Sequence, residues 1–502
     1  MARLRRILII LLVALVAGVG ACNLLLPERF AVNAPMMHQL FGLGGPGTPA
    51  SETVDQRMQA AAGLKVSVFA SELPMVRTLR FTPRGHLLAT LPRSGRIVVV
   101  EPDRDGDGRS DGTRDLLTEL DAPYGIDVHD GWLYVALGAS VVRFPFDDGA
   151  AQVTGAPETL VPELPEGGNH WTRTLRIGPD GAVYVTIGSS CNVCEESEAW
   201  RATMIRFERD GSGAEIYASG LRNSVGFDWQ PSTGDLYATD NGRDMLGDDF
   251  PPCELNRIER GAFYGWPHVN GDGELDPDFG SARPDLVARS TPPAFAFRAH
   301  NAPLGMSFLR SPATPPSLRG AALAALHGSW NRTRKDGYKV VSLHWDAAGN
   351  IESRDFLTGF LENDGIIGRP VDIAQAQDGT IYVSDDYADV IWQVGAGGTG
   401  ASSLPGARTA TSDPLAALDS GERARAGARG AALYAAHSCA GCHEAASALP
   451  GVVPVVLAER NLAARYDIDS LVRFLAAPRP PMPLAPLDDA QRRDLAIHLL
   501  ER

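Results

Sequence analysis

Positive charge is scarce in this chain. Its 46 Lys and Arg stand against 61 Asp and Glu, for a formal net charge of −15. A nucleic-acid binder carries the opposite excess as a rule, so that class is set aside. Long apolar stripes are few, and with 44% hydrophobic and 21% charged residues the composition excludes a disordered chain, a coiled coil and a multi-span membrane protein. No G-x-G-x-x-G follows a strand and opens a helix, which argues against a dinucleotide fold. Cysteine is limited to six residues, whereas Gly (53) and Pro (36) are plentiful. Abundant turn formers without long stripes predict a strand-and-turn fold. The 502 residues leave room for more than one domain.

Residues 1–22 read as a targeting segment. Arg3, Arg5 and Arg6 precede an apolar stretch, Ile7 to Val19, that is short for a membrane span. Val19-Gly20-Ala21-Cys22 resembles a lipobox, with Cys22 as the lipidated first residue of the mature chain; a plain signal anchor is the alternative. Loss of the three arginines takes the charge from −15 to −18. Lipid chains would hold the protein on a membrane without spanning it. The expected location is the bacterial cell envelope, facing the oxidising periplasm. Residues 23–57 are the expected tether.

A turn bounded by strands recurs six times. It begins at Leu79, Gly125, Leu175, Val225, Gly305 and Val371, and the early copies are about 46–50 residues apart. Segments such as Ile177-Gly178-Pro179-Asp180-Gly181 and Ala376-Gln377-Asp378-Gly379 have the chemistry of tight turns. Repeats near this period predict a blade-by-blade architecture, here an all-β six-bladed β-propeller over residues 58–397.

A small-residue linker, 398–424, precedes a helical pattern in a tail that is nearly neutral, with 10 Arg and 9 Asp and Glu from residue 421. Within it, Cys439-Ala440-Gly441-Cys442-His443 is C-x-x-C-H. Two thiols at this spacing can attach one haem, and the adjacent histidine can ligate its iron. Met482, in Pro480-Pro481-Met482-Pro483, is the expected second axial ligand, with His498 as competitor. Such ligation suits electron transfer. Residues 425–502 resemble class I cytochrome c, which implies a small all-α domain in which Gly430 and Tyr434 mark a crossing of the first and last helices.

A fused cytochrome needs an electron source. Polar runs recur at similar places in the blades: Gly168-Asn169-His170, Gly220-Leu221-Arg222-Asn223, Asp240-Asn241-Gly242-Arg243-Asp244, Trp330-Asn331-Arg332 and Gly368-Arg369. Several arginines beside one histidine suit an anionic cofactor next to a proton acceptor. Together with Glu254-Leu255-Asn256 and Tyr264-Gly265-Trp266-Pro267, these runs resemble the soluble quinoprotein sugar dehydrogenases, most of all their L-sorbosone dehydrogenase branch.

The resemblance covers about residues 60–395 and implies a propeller that carries pyrroloquinoline quinone (PQQ) and calcium. By position, His170 becomes the general base. Arg222, Asn223 and Arg369 become PQQ contacts, and Arg332, with Lys335 as competitor, the cation under the quinone. The backbone oxygens of Gly242 and Arg243 become calcium ligands. The soluble glucose enzymes have Asp where this chain has Asn169 and Ser189.

Cys191 and Cys194 are close enough in sequence to bridge, which leaves Cys253 as a buried free thiol or the true partner of one of them. Zinc lacks the further ligands it needs here. Asp103-Arg104-Asp105-Gly106-Asp107-Gly108-Arg109-Ser110-Asp111 reads as a structural calcium loop with Asp103, Asp105, Asp107 and Asp111 as ligands. Arg114 stands where an EF-hand has Glu, so it is not a full EF-hand.

The expectation is therefore an envelope-anchored quinohaemoprotein with PQQ, Ca²⁺ and haem c. It would oxidise a sugar and pass electrons to a respiratory acceptor, either a cytochrome or the quinone pool. The alternative is a sugar-binding or lactone-hydrolysing propeller with a separately acting cytochrome.

Overall fold

The structure is a computed structural model that describes residues 45–395, 415, 418–444, 447, 457, 462, 468–476, 478, 482 and 485–501. The targeting segment with Cys22, most of the tether and most of the linker lie outside the described residues. The chain divides into two units, with the boundary between Leu404 and Pro405.

The first unit is a six-bladed β-propeller. Its blades are six sheets of four or five strands, with the first strand of each at one sheet edge: Leu79–Phe81, Ile126–His129, Arg173–Ile177, Phe227–Trp229, Pro303–Phe308 and Pro370–Gln375. The turn that leaves each of these strands contains a glycine at positive φ, namely Gly85, Gly131, Gly181, Gly234, Gly320 and Gly379, with φ between 74° and 90°. Side chains with a Cβ are disfavoured there, which is why the repeat was visible as a glycine pattern. The fifth copy has the longest connection between its first two strands, from Phe308 to Ala322, with a short turn of helix at Pro316–Leu318.

The ring closes through the N-terminal strand Lys65–Ala70. It pairs antiparallel with Val390–Gly395, with Val66 opposite Val394 and Val68 opposite Trp392. The last blade is thus built from both ends of the propeller sequence, which protects edges that would otherwise stay open.

Residues at or just before the six first strands meet at the axis. Every second blade carries an aspartate there that accepts a backbone N–H from the next blade. Asp127 accepts from Ile177 (2.9 Å), Asp228 from Phe308 (2.8 Å) and Asp372 from Leu79 (2.9 Å). Arginines from the intervening blades balance the charge, with Arg176 3.2 Å from Asp228 and Arg80 3.7 Å from Asp127. What remains of the axial channel is a cavity of about 10 Å³. At one end it is plugged by buried Tyr124, Val225, Leu304 and Val371.

In the second unit, helices Ser420–Ala436, Ala440–His443, Ile468–Ala476 and Asp489–Leu500 are described. Asp419 caps the first by accepting from the N–H groups of Gly421 and Glu422, both at 2.9 Å. Asp488 and Gln491 form a capping box on the last. These two helices touch at Gly430. A Cβ at that position would lie 2.2 Å from the Asp494 carbonyl oxygen and 2.6 Å from His498 Cβ. Alanine favours a helix over glycine by roughly 0.5–1 kcal/mol, but overpacking costs about 1–3 kcal/mol. Gly430→Ala is therefore expected to lower the thermal transition of these helices, followed by circular dichroism of the full chain. A raised transition would refute the close packing.

Candidate functional site

The first strand of a blade runs away from one face of the ring and the second returns to it. Segments before first strands and after second strands therefore share that face. This geometry gathers runs that are far apart in sequence around one cavity of about 830 Å³, within the usual range for a ligand pocket. Val225 and Leu304, two residues of the axial plug, contribute to its lining.

His170 precedes the first strand of the third blade, and Ser189 follows the second strand. The Nδ1 atom of His170 is 2.9 Å from both the carbonyl and the hydroxyl oxygen of Ser189. That hydroxyl donates its own hydrogen to the Cys191 carbonyl at 2.7 Å. Both Ser189 oxygens are thus acceptors, so the imidazole hydrogen belongs on Nδ1 and the basic lone pair on Nε2. Burial, followed by the nearby Arg222 cation, pushes the His170 pKa down to about 3. The ring is neutral at pH 7 and able to accept a proton. Gly188 makes room for this arrangement: a Cβ there would lie 2.6 Å from His170 Cβ and 2.9 Å from Asn223 Oδ1.

Arg222 and Asn223 sit on a turn organised by a residue whose role the motif reading missed. The buried Asp240 carboxylate accepts the backbone N–H groups of Arg222 (2.9 Å), Asn223 (2.6 Å) and Asn241 (3.0 Å). Burial nevertheless raises its pKa to about 7. The Arg222 guanidinium donates to the carbonyls of Asn192, Asn241 and Gly242 and pairs with Asp244 at 3.1 Å. Asn223 Oδ1 is buried and has no hydrogen-bond partner.

Arg369 enters from the sixth blade, buried. Its guanidinium donates to the carbonyls of His327 (3.2 Å) and Gly328 (3.1 Å), and it forms no ion pair among the described residues. A buried cation without a carboxylate invites an anionic ligand. His327 and Arg77 also line the cavity, and Asp386 holds both. His327 Nε2 is 2.8 Å from Asp386 Oδ1, and Arg77 pairs with the other oxygen. Burial and Arg369 lower the His327 pKa to about 4. Sequence reading passed over Arg77, His327 and Asp386 because they lie in three separate segments with no shared motif.

His170, Arg222, Asn223, Gly242 and Arg369 all line the cavity; Arg332 and Lys335 do not. Arg332 is tied to the carbonyls of Asp248 and Ala299 and to the Asp249 carboxylate, and Lys335 to Asp364. Each cation is drawn to a loop carboxylate away from the cavity lining. The Arg243 side chain also points to other partners, Asp276 and Asp278, at 2.7 and 3.0 Å.

Cys191 and Cys194 form a disulfide, while Cys253 is a buried free thiol whose pKa burial raises to about 11. Asp103, Asp105 and Asp111 cluster closely enough to share an ion, whereas Asp107 stands apart from that group. Backbone N–H groups already occupy part of the loop's acceptors, with Gly106 and Gly108 donating to Asp103.

The donors around the cavity fit the implied cofactors. Arg369 offers a cation to an anionic quinone, and the orphaned Asn223 oxygen offers an acceptor to a ligand N–H or O–H. The carbonyls of Asn241 and Gly242 and the Asp244 carboxylate are oxygens of the kind calcium takes, and in this structure the Arg222 guanidinium occupies all three. In the second unit Cys439 and Cys442 are both free of disulfides. Cys439 and Met482 pack against the same apolar cluster, which includes Leu471, Leu475 and Tyr434. A thiol and a thioether against one apolar cluster are residue types that a covalent haem uses. The competing His498 packs its ring edge-on to Tyr434, 5.7 Å between centroids.

A family model described as TrAA12-like matches residues 58–255 and 284–396. A pyrroloquinoline quinone-dependent pyranose dehydrogenase of Coprinopsis cinerea is 24% identical over 69% of this chain, which spans only 55% of that protein's length. An uncharacterized protein of Borreliella burgdorferi is 30% identical over 69% of this chain and 93% of its own. The solved holo form of the C. cinerea PQQ domain superposes with a TM-score of 0.59 at 22% identity, covering 70% of this chain and 99% of that domain. At that identity the likeness establishes the propeller fold.

Proposed function

The chain belongs to the TrAA12-like family, and from that premise we propose that it is a PQQ-dependent sugar dehydrogenase whose electrons leave through a c-type haem. The observation that carries this reading is one cavity lined by both a neutral imidazole, His170, and the buried cation Arg369, which pairs with no carboxylate among the described residues. The relatives' names agree with it.

When bound, PQQ supplies a two-electron acceptor and calcium a Lewis acid on its accepting carbonyl. The protein's own residues do the rest. Arg369 and Asn223 hold the anionic ring, while the backbone oxygens of Gly242 and Arg243 offer ligands to the metal. His170 Nε2 takes the proton from the sugar hydroxyl as the adjoining carbon gives up a hydride, the C–H hydrogen with both bonding electrons. Ser189 holds Nδ1 so that Nε2 stays available, in place of the Asp of the similar glucose enzymes. Cys439 and Cys442 would attach a haem, and His443 and Met482 would ligate its iron; when bound, the haem would supply a one-electron carrier. Cys22 carries lipid and keeps the protein at the periplasmic side of the envelope. The natural acceptor is a respiratory cytochrome or quinone.

Purified protein supplied with PQQ and Ca²⁺ is expected to reduce its own haem on addition of an aldose, seen in the visible absorbance. Turnover is expected to require both additions. Lactone hydrolysis without PQQ, or aldose oxidation without PQQ, would refute the assignment.

A further inference from the structure

One loop touches both halves of the cavity. It follows the second strand of the third blade, is half-exposed, and contains no helix or strand from Gly188 to Arg201. Its central residue is Asn192. The Asn192 backbone carbonyl accepts from Arg222 Nε at 2.9 Å, and its Oδ1 accepts from Arg222 Nη2 at 2.9 Å. The same Oδ1 accepts the backbone N–H of Asp244 at 2.9 Å, and Nδ2 donates to the Asp244 carbonyl at 3.1 Å. Asn192 thus ties the turn before the fourth blade to the oxygen-rich loop after that blade's second strand.

Its neighbour reaches the base. The Cys191 carbonyl accepts from the Ser189 hydroxyl, whose oxygen faces His170 Nδ1. Two staples hold this loop. The disulfide joins Cys191 to Cys194 across Asn192, and Glu196 accepts both the backbone N–H and the hydroxyl of Ser190 at 2.7 Å. An irregular half-exposed segment costs roughly 1–2 kcal/mol per residue to order, so a covalent closure over Asn192 offsets a cost the hydrogen bonds would otherwise carry alone.

We propose that Asn192, held by the Cys191–Cys194 bridge, is a positioning residue of the cofactor site: it sets the Arg222 guanidinium, and opening the bridge weakens cofactor binding while leaving the propeller folded. The proposal rests on the PQQ reading above and concerns only how this chain holds its own cradle. The residue and the bridge act through Arg222, the cation that Asn192 holds by both its backbone carbonyl and its Oδ1.

The test is PQQ affinity, measured by titration calorimetry on the full chain at fixed Ca²⁺. Asn192→Ala is expected to weaken binding by about tenfold or more, the size of one charge-assisted hydrogen bond. The double variant Cys191→Ser/Cys194→Ser is expected to weaken it in the same direction. So is treatment with dithiothreitol, whose two thiols form their own disulfide as the protein bridge takes up two electrons and two protons. Reoxidation is expected to restore affinity. In an Arg222→Met background, Asn192→Ala is expected to have no further effect, a coupling that general loosening of the fold would not produce.

Wild-type affinity in Asn192→Ala and in the reduced protein, or additive losses in the double-mutant cycle, would overturn the inference and leave the PQQ assignment standing. No PQQ binding by the oxidised wild-type protein would overturn both. If Asn192→Ala does not fold, the reduction and reoxidation series decides the matter on unaltered sequence.

Discussion

Replacing His170 by alanine is expected to slow aldose-driven reduction of haem or dye by about 10²–10⁴-fold, the usual contribution of a positioned general base. PQQ affinity is expected to change little, because His170 carries no charge at pH 7: burial and Arg222 hold its pKa near 3. Its pH behaviour follows with a definite sign. A free imidazole loses its proton-accepting form below about pH 6.5. A depressed pKa keeps that form present at lower pH, so the acid limb of the rate profile is expected below the ordinary imidazole midpoint. The variant should lose that limb. Single-turnover haem reduction against pH measures both points, and unchanged kinetics in His170→Ala would remove this residue from the mechanism.

Arg369→Met carries the second large effect, on binding. A hydrogen bond to a charged group contributes about 1.5–3 kcal/mol, so PQQ affinity is expected to fall about ten- to hundredfold. Stability should move far less. The substitution removes a buried cation that has no carboxylate partner, while the carbonyls of His327 and Gly328 lose their donors. These costs oppose one another, and the thermal transition of the PQQ-free protein is expected to shift by no more than a few degrees. Undiminished PQQ affinity in this variant would show that Arg369 does not face the cofactor. Arg332→Met provides the comparison: its guanidinium is engaged with Asp248, Asp249 and Ala299 outside the cavity.

The contrast between these two arginines shows where sequence reading reached its limit. Both stand in loops on the same blade pattern, and both looked suited to an anionic ring. Arg332 found a carboxylate, Asp249, 3.0 Å away. Arg369 found only carbonyls and a tyrosine ring 5.8 Å from its guanidinium carbon. Which partner an arginine meets is decided by neighbours from other blades, and no local spacing encodes that. The same holds for Asp386, which joins Arg77 of the first blade to His327 of the fifth. Ser189 was legible as the residue standing where related enzymes have Asp, but its second bond, to the Cys191 carbonyl, was not. That bond makes Ser189 Oγ an acceptor toward His170 and so fixes which ring nitrogen is basic.

The linear order of residues was enough for the repeat and its chemistry. Six turn glycines need a backbone region closed to most side chains, C-x-x-C-H needs its spacing, and the arginine- and asparagine-bearing runs recur at similar places in the blades. Folding added what depends on distance across the ring. It produced closure through Lys65–Ala70, the alternation of aspartates around the axis and the selection of the arginines that reach the cavity. Local signals arise from torsion angles and short spacings, which neighbouring residues settle among themselves. The charge and hydrogen bonding of a cavity arise from groups hundreds of residues apart that meet only after the blades have closed.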